Sequence, residues 1–167
     1  MKDKDLELEP VDMYVLFAKM FSHITREVEK ACGEEGVRAV REGVRQFGLE
    51  RGRNIAERAK AMGHENDAKS YLPCYDMGRS ELFNSENDIR EDSIEQLFTE
   101  CIFAKQWMED HDEAYGIHYC EMIDPSIAEG YNENFKCTHD KHFFKDGCCH
   151  FPVSYTHLRA HETSAHL

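Results

Sequence analysis

Phe135-Lys136-Cys137-Thr138-His139-Asp140-Lys141-His142-Phe143-Phe144, followed after Lys145 by Asp146-Gly147-Cys148-Cys149-His150-Phe151, is the stretch whose reading decides the fold class. Residues 135–144 read as a strand, Asp146-Gly147 as a hairpin turn, and residues 148–151 as the start of the returning strand. Upstream, the pattern is mostly helical. Helices first and an antiparallel hairpin last imply an α+β domain, with N-terminal helices packed on a small antiparallel sheet and a helix inserted before the C-terminal hairpin.

Working back from the hairpin, Asp124-Pro125 looks like an N-cap followed by proline at the first helical position, and Gly130 closes that short helix. Residues 104–121 read as helix and residues 94–103, rich in β-branched and aromatic side chains, as strand. Asn84-Ser85-Glu86-Asn87-Asp88 reads as a turn after a strand opening at residues 82–83. A short helix is expected at 68–72, ahead of Pro73. Farther upstream, Met13, Phe17, Met20, Phe21, Ile24, Val28 and Ala31 recur at helical spacing, with Pro10 and Asp12 as start signals and Gly33 as a stop. Val37, Val40, Val44 and Phe47, then Ile55, Ala59 and Met62, mark a second helix over 34–62. Gly43, Gly48 and Gly52 lie within it. Each costs about 1 kcal/mol against alanine, so a kink, a break or close packing is expected near 48–52.

The chain has 167 residues, 20 of them Lys or Arg and 33 Asp or Glu, for a net charge of −13. Its length and apolar content suit one globular domain. The acidic balance argues against nucleic acid or an anionic membrane as main partner. No apolar run reaches the roughly 18 residues needed to span a bilayer, and the charged N-terminus lacks a signal core, so a cytoplasmic location is expected. Seven cysteines with no CxxC pair argue against a disulfide framework. Residues 153–163 resemble a translated sequencing-library adapter. The expected organisation is therefore one native domain over 1–151 and a non-native tail over 152–167, so His157, His161 and His166 are set aside.

Three clusters could carry chemistry. Arg51 and Arg53 flank Gly52, where a guanidinium could hold a carboxylate; a solvated helix face is the plainer alternative. Around Gly116-Ile117-His118-Tyr119-Cys120-Glu121-Met122-Ile123-Asp124, helical spacing puts Cys120 and Asp124 on one face. A carboxylate there would suppress a thiolate nucleophile and suits a general base better; alternatively Cys120 is core and Asp124 only a cap. At the end of the chain, Cys137, His139, His142, Cys148, Cys149 and His150 invite a zinc reading. The spacings are not the usual paired ones, and no metal is assigned. Serine-hydrolase, HExxH, phosphate-loop and dinucleotide motifs do not occur.

The run Tyr119-Cys120-Glu121-Met122-Ile123-Asp124-Pro125, continued to Gly130-Tyr131-Asn132 and closed by Gly147-Cys148-Cys149-His150-Phe151, resembles the L-2-amino-thiazoline-4-carboxylic acid hydrolase family. The segment at 48–53 and Cys101 fit its layout. Asp146-Gly147 reverses that family's usual Gly-Asp, and Ile102 stands where a proline is common. The resemblance implies a small-molecule substrate and hydrolytic opening of a cyclic amidine. In that reaction water adds to the ring carbon between nitrogen and sulfur, and N-carbamoyl-L-cysteine forms. The roles assigned on that basis are Asp124 as base, Arg51 or Arg53 as carboxylate anchor, and His118 or Tyr131 as proton donor. Cys101, Cys120, Cys149 and Asn132 complete the pocket. The alternative for the three thiols is a metal that activates the water, and the cofactor is left open. The competing expectation is a non-catalytic ligand- or metal-binding sensor with a thiol-lined pocket. Convergence of Cys101, Cys120, Asp124 and Cys149 on one cavity separates chemistry from packing.

Overall fold

A computed structural model describes residues 11–77 and 82–155; Pro10 and the three histidines of the tail lie outside them. The architecture is α+β, as expected. In chain order the elements are α1 (Met13–Ala61), α2 (Ala68–Tyr71), β1 (Ser85–Ile89), β2 (Ser93–Phe98), α3 (Ile102–Glu109), α4 (Glu113–Tyr131), β3 (Phe135–Cys137), α5 (Phe143–Asp146) and β4 (Cys149–Tyr155). The four strands form one antiparallel sheet in the order β1-β2-β4-β3.

Asp12 caps α1, its carboxylate accepting from the Tyr14 N–H at 2.7 Å. The expected boundary between two helices falls inside α1 at Gly33, whose φ of 61° and ψ of −146° break the helical path. Only glycine takes that conformation at little cost. The glycines at 48 and 52, by contrast, stay helical and serve close packing. A Cβ on Gly52 would sit 2.2 Å from the Ile127 carbonyl oxygen, and one on Gly130 2.3 Å from that of Leu49. α1 and α4 therefore meet backbone to backbone.

Trp107 of α3 is fully buried and donates its indole N–H to the Ala18 carbonyl at 2.9 Å. Phe103 stacks on it at 5.8 Å, Phe21 and Tyr119 meet it tilted at 6.0 and 5.9 Å, and Phe17 packs on Phe103 and Tyr119 behind them. A second aromatic group, Tyr71, Tyr131, Phe135 and Tyr155, fastens α2, the end of α4 and the sheet together. Burial on this scale is the main stabilising term of the domain.

Four expectations need correction. Residues 85–89 are a strand, not a turn. β1 is an exposed edge whose one strand partner among the described residues is β2, so backbone pairing rather than apolar alternation fixes it. The strand of β2 ends at Phe98, and residues 102–103 already belong to α3. The helix expected over 104–121 is two helices, separated at His111, which takes a φ of 57°. Asp124-Pro125 is not a helix start: α4 runs through it, with Pro125 inside the helix. Pro125 offers no N–H to the Glu121 carbonyl, but the backbone clamp against α1 spans Ile123, Ile127 and Gly130 and holds the helix on course.

The hairpin reading also changes in detail. β3 and β4 do pair, but β3 has only three residues. The connection contains α5, and Gly147, at φ 69°, is the left-handed cap of that helix. β4 extends beyond Phe151. Val153 is buried opposite Ile94 and Cys137, and Tyr155 lies opposite Phe135. Val-Ser-Tyr alternates apolar, polar, apolar, which is what a half-buried strand requires.

Candidate active site

The inner face of the sheet and the facing surfaces of α1, α3 and α4 enclose a cleft of about 830 Å³. Strand alternation and register decide the sheet's contribution. Phe98 lies between Ser85 and Cys149, and Gln96 between Asn87 and Phe151, so these six residues share one face and line the cleft. From the helical side come Arg51, Cys101, Cys120 and Asp124, together with Tyr75 from the loop after α2.

Asp124 is the chemical centre of this arrangement. As an interior residue of α4 its carboxylate has no capping duty and projects into the cleft, one turn beyond Cys120. Burial drives its carboxyl up to about 6, against the opposing pull of the Arg51 guanidinium and of the Tyr75 hydroxyl. Tyr75 donates to Asp124 at 3.4 Å, a long hydrogen bond. Burial also pushes the Tyr75 phenol well up, so it stays protonated and remains a donor.

Arg51 is held in place rather than free. Its Nε and Nη2 donate to the two carboxylate oxygens of Asp76 at 2.9 and 2.6 Å, and its guanidinium lies 5.5 Å from the Tyr75 ring centre. That bidentate grip fixes the plane of the group. It leaves Nη1 without a protein partner among the described residues. Arg53 lies two residues on, some 200° around the helix, and is exposed. Only one of the two arginines can face the cleft, and it is Arg51.

The three thiols all reach the cleft. Burial pushes Cys101 up to about 11 and Cys149 up to about 12, and raises Cys120 as well. They are neutral S–H groups at physiological pH, not nucleophilic thiolates. All seven cysteines are free, and among the described residues no three His, Cys, Asp or Glu side chains gather as a metal-ion site.

The other residues assigned from sequence lie elsewhere. His118 is on a different face of α4, 3.3 Å from Arg41, which itself pairs with Glu121 at 2.7 Å. Tyr131 donates to the Asp67 carbonyl at 3.1 Å, and Asn132 donates to the Asn66 carbonyl at 2.7 Å. These two tie the end of α4 to the segment before α2 and do not line the cleft. Sequence reading missed Tyr75 and Asp76, and singled out His139 only within the zinc reading. His139 lines the cleft beside Phe151, its ring held by Nδ1–H donation to the Cys120 carbonyl at 3.2 Å. Burial, reinforced by His142, lowers it to about 4, so it is uncharged. The Arg51–Asp76 pair joins positions 25 apart, and no local spacing signals it.

A single α+β domain with one acid, one guanidinium and neutral thiols around an internal cleft has the form of a small-molecule site. The family model for L-2-amino-thiazoline-4-carboxylic acid hydrolase matches residues 13–153, and the chain belongs to that family. Comparisons with curated proteins and with solved structures returned no match. No helix among the described residues is long and apolar enough to cross a membrane.

Proposed function

We propose that this protein is a hydrolase that opens a cyclic amidine of the 2-amino-thiazoline-4-carboxylate type. The observation that carries the reading is the Asp124 carboxylate, freed from any capping role and set in the cleft with its protonation balance near pH 6. Family membership supports it.

Above that pH Asp124 is ionised and can take a proton from a water attacking the ring carbon between nitrogen and sulfur. The carbon–oxygen bond forms and the carbon–sulfur bond breaks. Asp124, now an acid of pKa about 6, returns its proton to the leaving thiolate, whose ordinary value is about 8.5. The second water proton ends on the ring nitrogen as the urea carbonyl forms. Tyr75 is the hydroxyl donor nearest this exchange. Arg51 Nη1 is the anchor for the substrate carboxylate, with Asp76 fixing its direction. The thiols act as neutral wall.

The test is thiol release from 2-amino-thiazoline-4-carboxylate by the purified protein. Asp124→Asn should lower the rate by about 10²–10⁴-fold with the fold intact. Wild-type activity should rise with pH through about 6 and then level. Absence of thiol release, or an unimpaired Asp124→Asn variant, would overturn the assignment.

A further inference from the structure

The cleft is far larger than the molecule in the family's description. A site of about 300–1,000 Å³ holds a drug-sized ligand, and this one measures about 830 Å³. 2-Amino-thiazoline-4-carboxylate has only about nine non-hydrogen atoms, so it would occupy a minor part of such a space. Around Asp124 and Arg51 the cleft is polar. Away from them it runs along the sheet from Ser85 to Ile89, roughly 13 Å at about 3.3 Å per residue.

The chemistry of that extension is set by strand alternation. In Ser85-Glu86-Asn87-Asp88-Ile89, the neutral residues at 85, 87 and 89 line the cleft, whereas Glu86 and Asp88 lie on the opposite face with Glu95. Across the register the cleft face continues with Gln96 and Phe98, then Phe151. In a chain of net charge −13, the sheet wall of the cleft carries no charged side chain and the other face carries three carboxylates. The apolar part of the sheet wall is Ile89 with Phe98 and Phe151, which meet edge to face at 5.6 Å; across from it Phe83 and Phe103 of α3 meet edge to face at 5.4 Å beside Leu72, Met77 and Ile123. Asn87, on the edge strand, donates its side-chain amide to Ser85 Oγ at 3.1 Å, and Gln96 stands beside it on β2, between Asn87 and Phe151.

We propose that the substrate of this protein is an extended one, a cyclic amidine carboxylate bearing an uncharged aryl or arylamide substituent that lies along the inner face of β1, β2 and β4. This rests on the reading of the site given above and names the substrate class for it. The amidine end meets Asp124 and Arg51, the aromatic substituent packs among Phe98, Phe151 and Phe83, and Asn87 and Gln96 bind its amide. A charged substituent would be desolvated against a wall that offers no counter-charge.

Calorimetric titration with three probes tests this: 2-amino-thiazoline-4-carboxylate, its 2-benzamido derivative, and the same derivative sulfonated on the aryl ring. The benzamido probe should bind at least 10-fold tighter than the parent, and sulfonation should remove that gain. Phe98→Ala and, as a change on the solvent-exposed strand, Asn87→Asp should each bring the benzamido-to-parent affinity ratio towards one. Equal affinities for parent and benzamido probe, a sulfonated probe that binds as well as its neutral counterpart, or no heat with any probe would overturn the inference. Thiol release is measured separately on the same samples. Preferential binding without thiol release sinks the hydrolase reading and leaves the extended aryl-binding wall standing as a ligand site. Thiol release with no preference does the reverse.

Discussion

The two sides of the cleft are built differently. On the helical side, α1 and α4 touch through backbone at Gly52 and Gly130, with no room for a methyl group. On the sheet side, every residue of β1 is exposed, and among the described residues it pairs with β2 alone. The acid and the guanidinium belong to the tightly clamped side, where a shift of a few tenths of an ångström is resisted by packed backbone. The varied neutral side chains belong to the open one. On the proposed reading placement and selection are separated: rigid helices would fix the reacting groups, and an edge ribbon would decide what lies beside them.

The contrast predicts a graded series of effects. Gly52→Ala should be the most damaging, because its Cβ meets main chain at Ile127 and Gly130 that cannot rotate away. A loss of at least about 3 kcal/mol by urea denaturation is expected. Asp124→Asn comes next and has the opposite sign. An aspartate raised from 3.8 to about 6 on folding binds its proton more tightly in the folded state. Ionising it therefore costs the fold up to about 3 kcal/mol, and this contribution to stability is lost as pH rises from about 4 to about 6. The variant should be more stable than wild type at pH 7.5 while losing its rate, and the two should converge near pH 3.5. Paired melts at the two pH values read this directly. A less stable variant at pH 7.5 would mean that Asp124 serves structure instead.

Smaller effects follow. Gly43 lies in the same helix as Gly52, but a Cβ there meets nothing within 4 Å. Gly43→Ala should stabilise by about 0.5–1 kcal/mol. Glu86→Gln, on the outer face of β1, should stay within about 0.5 kcal/mol of wild type. A large loss there would mean that the ribbon is as tightly constrained as the helices, and the comparison would fail.

Much of the helical half was legible because its signals are local. The Gly33 break and the Asp12 cap sit where their residue types demand, and close packing was one of the outcomes expected of the glycines near position 50. The face shared by Cys120 and Asp124 followed from spacing alone, and both residues do reach the cleft. The Asp124-Pro125 step was misread because a cap is the cheaper local explanation. Its true setting depends on tertiary clamping against α1, which no window of sequence displays. β1 was missed for the converse reason: an edge strand exposed along its whole length needs no apolar alternation. Arg51 could be singled out but not its partner Asp76, since an ion pair closed by folding leaves no spacing to read.

Trp107, the sole indole in the chain, is sealed against α1 among aromatic side chains and stands behind Phe103 and Tyr119, which line the cleft. Its emission is therefore a native optical gauge of the helical scaffold, one ring removed from the cleft. Ligands arriving along the ribbon should leave that glow nearly constant, and a red shift would announce that the scaffold itself has come apart.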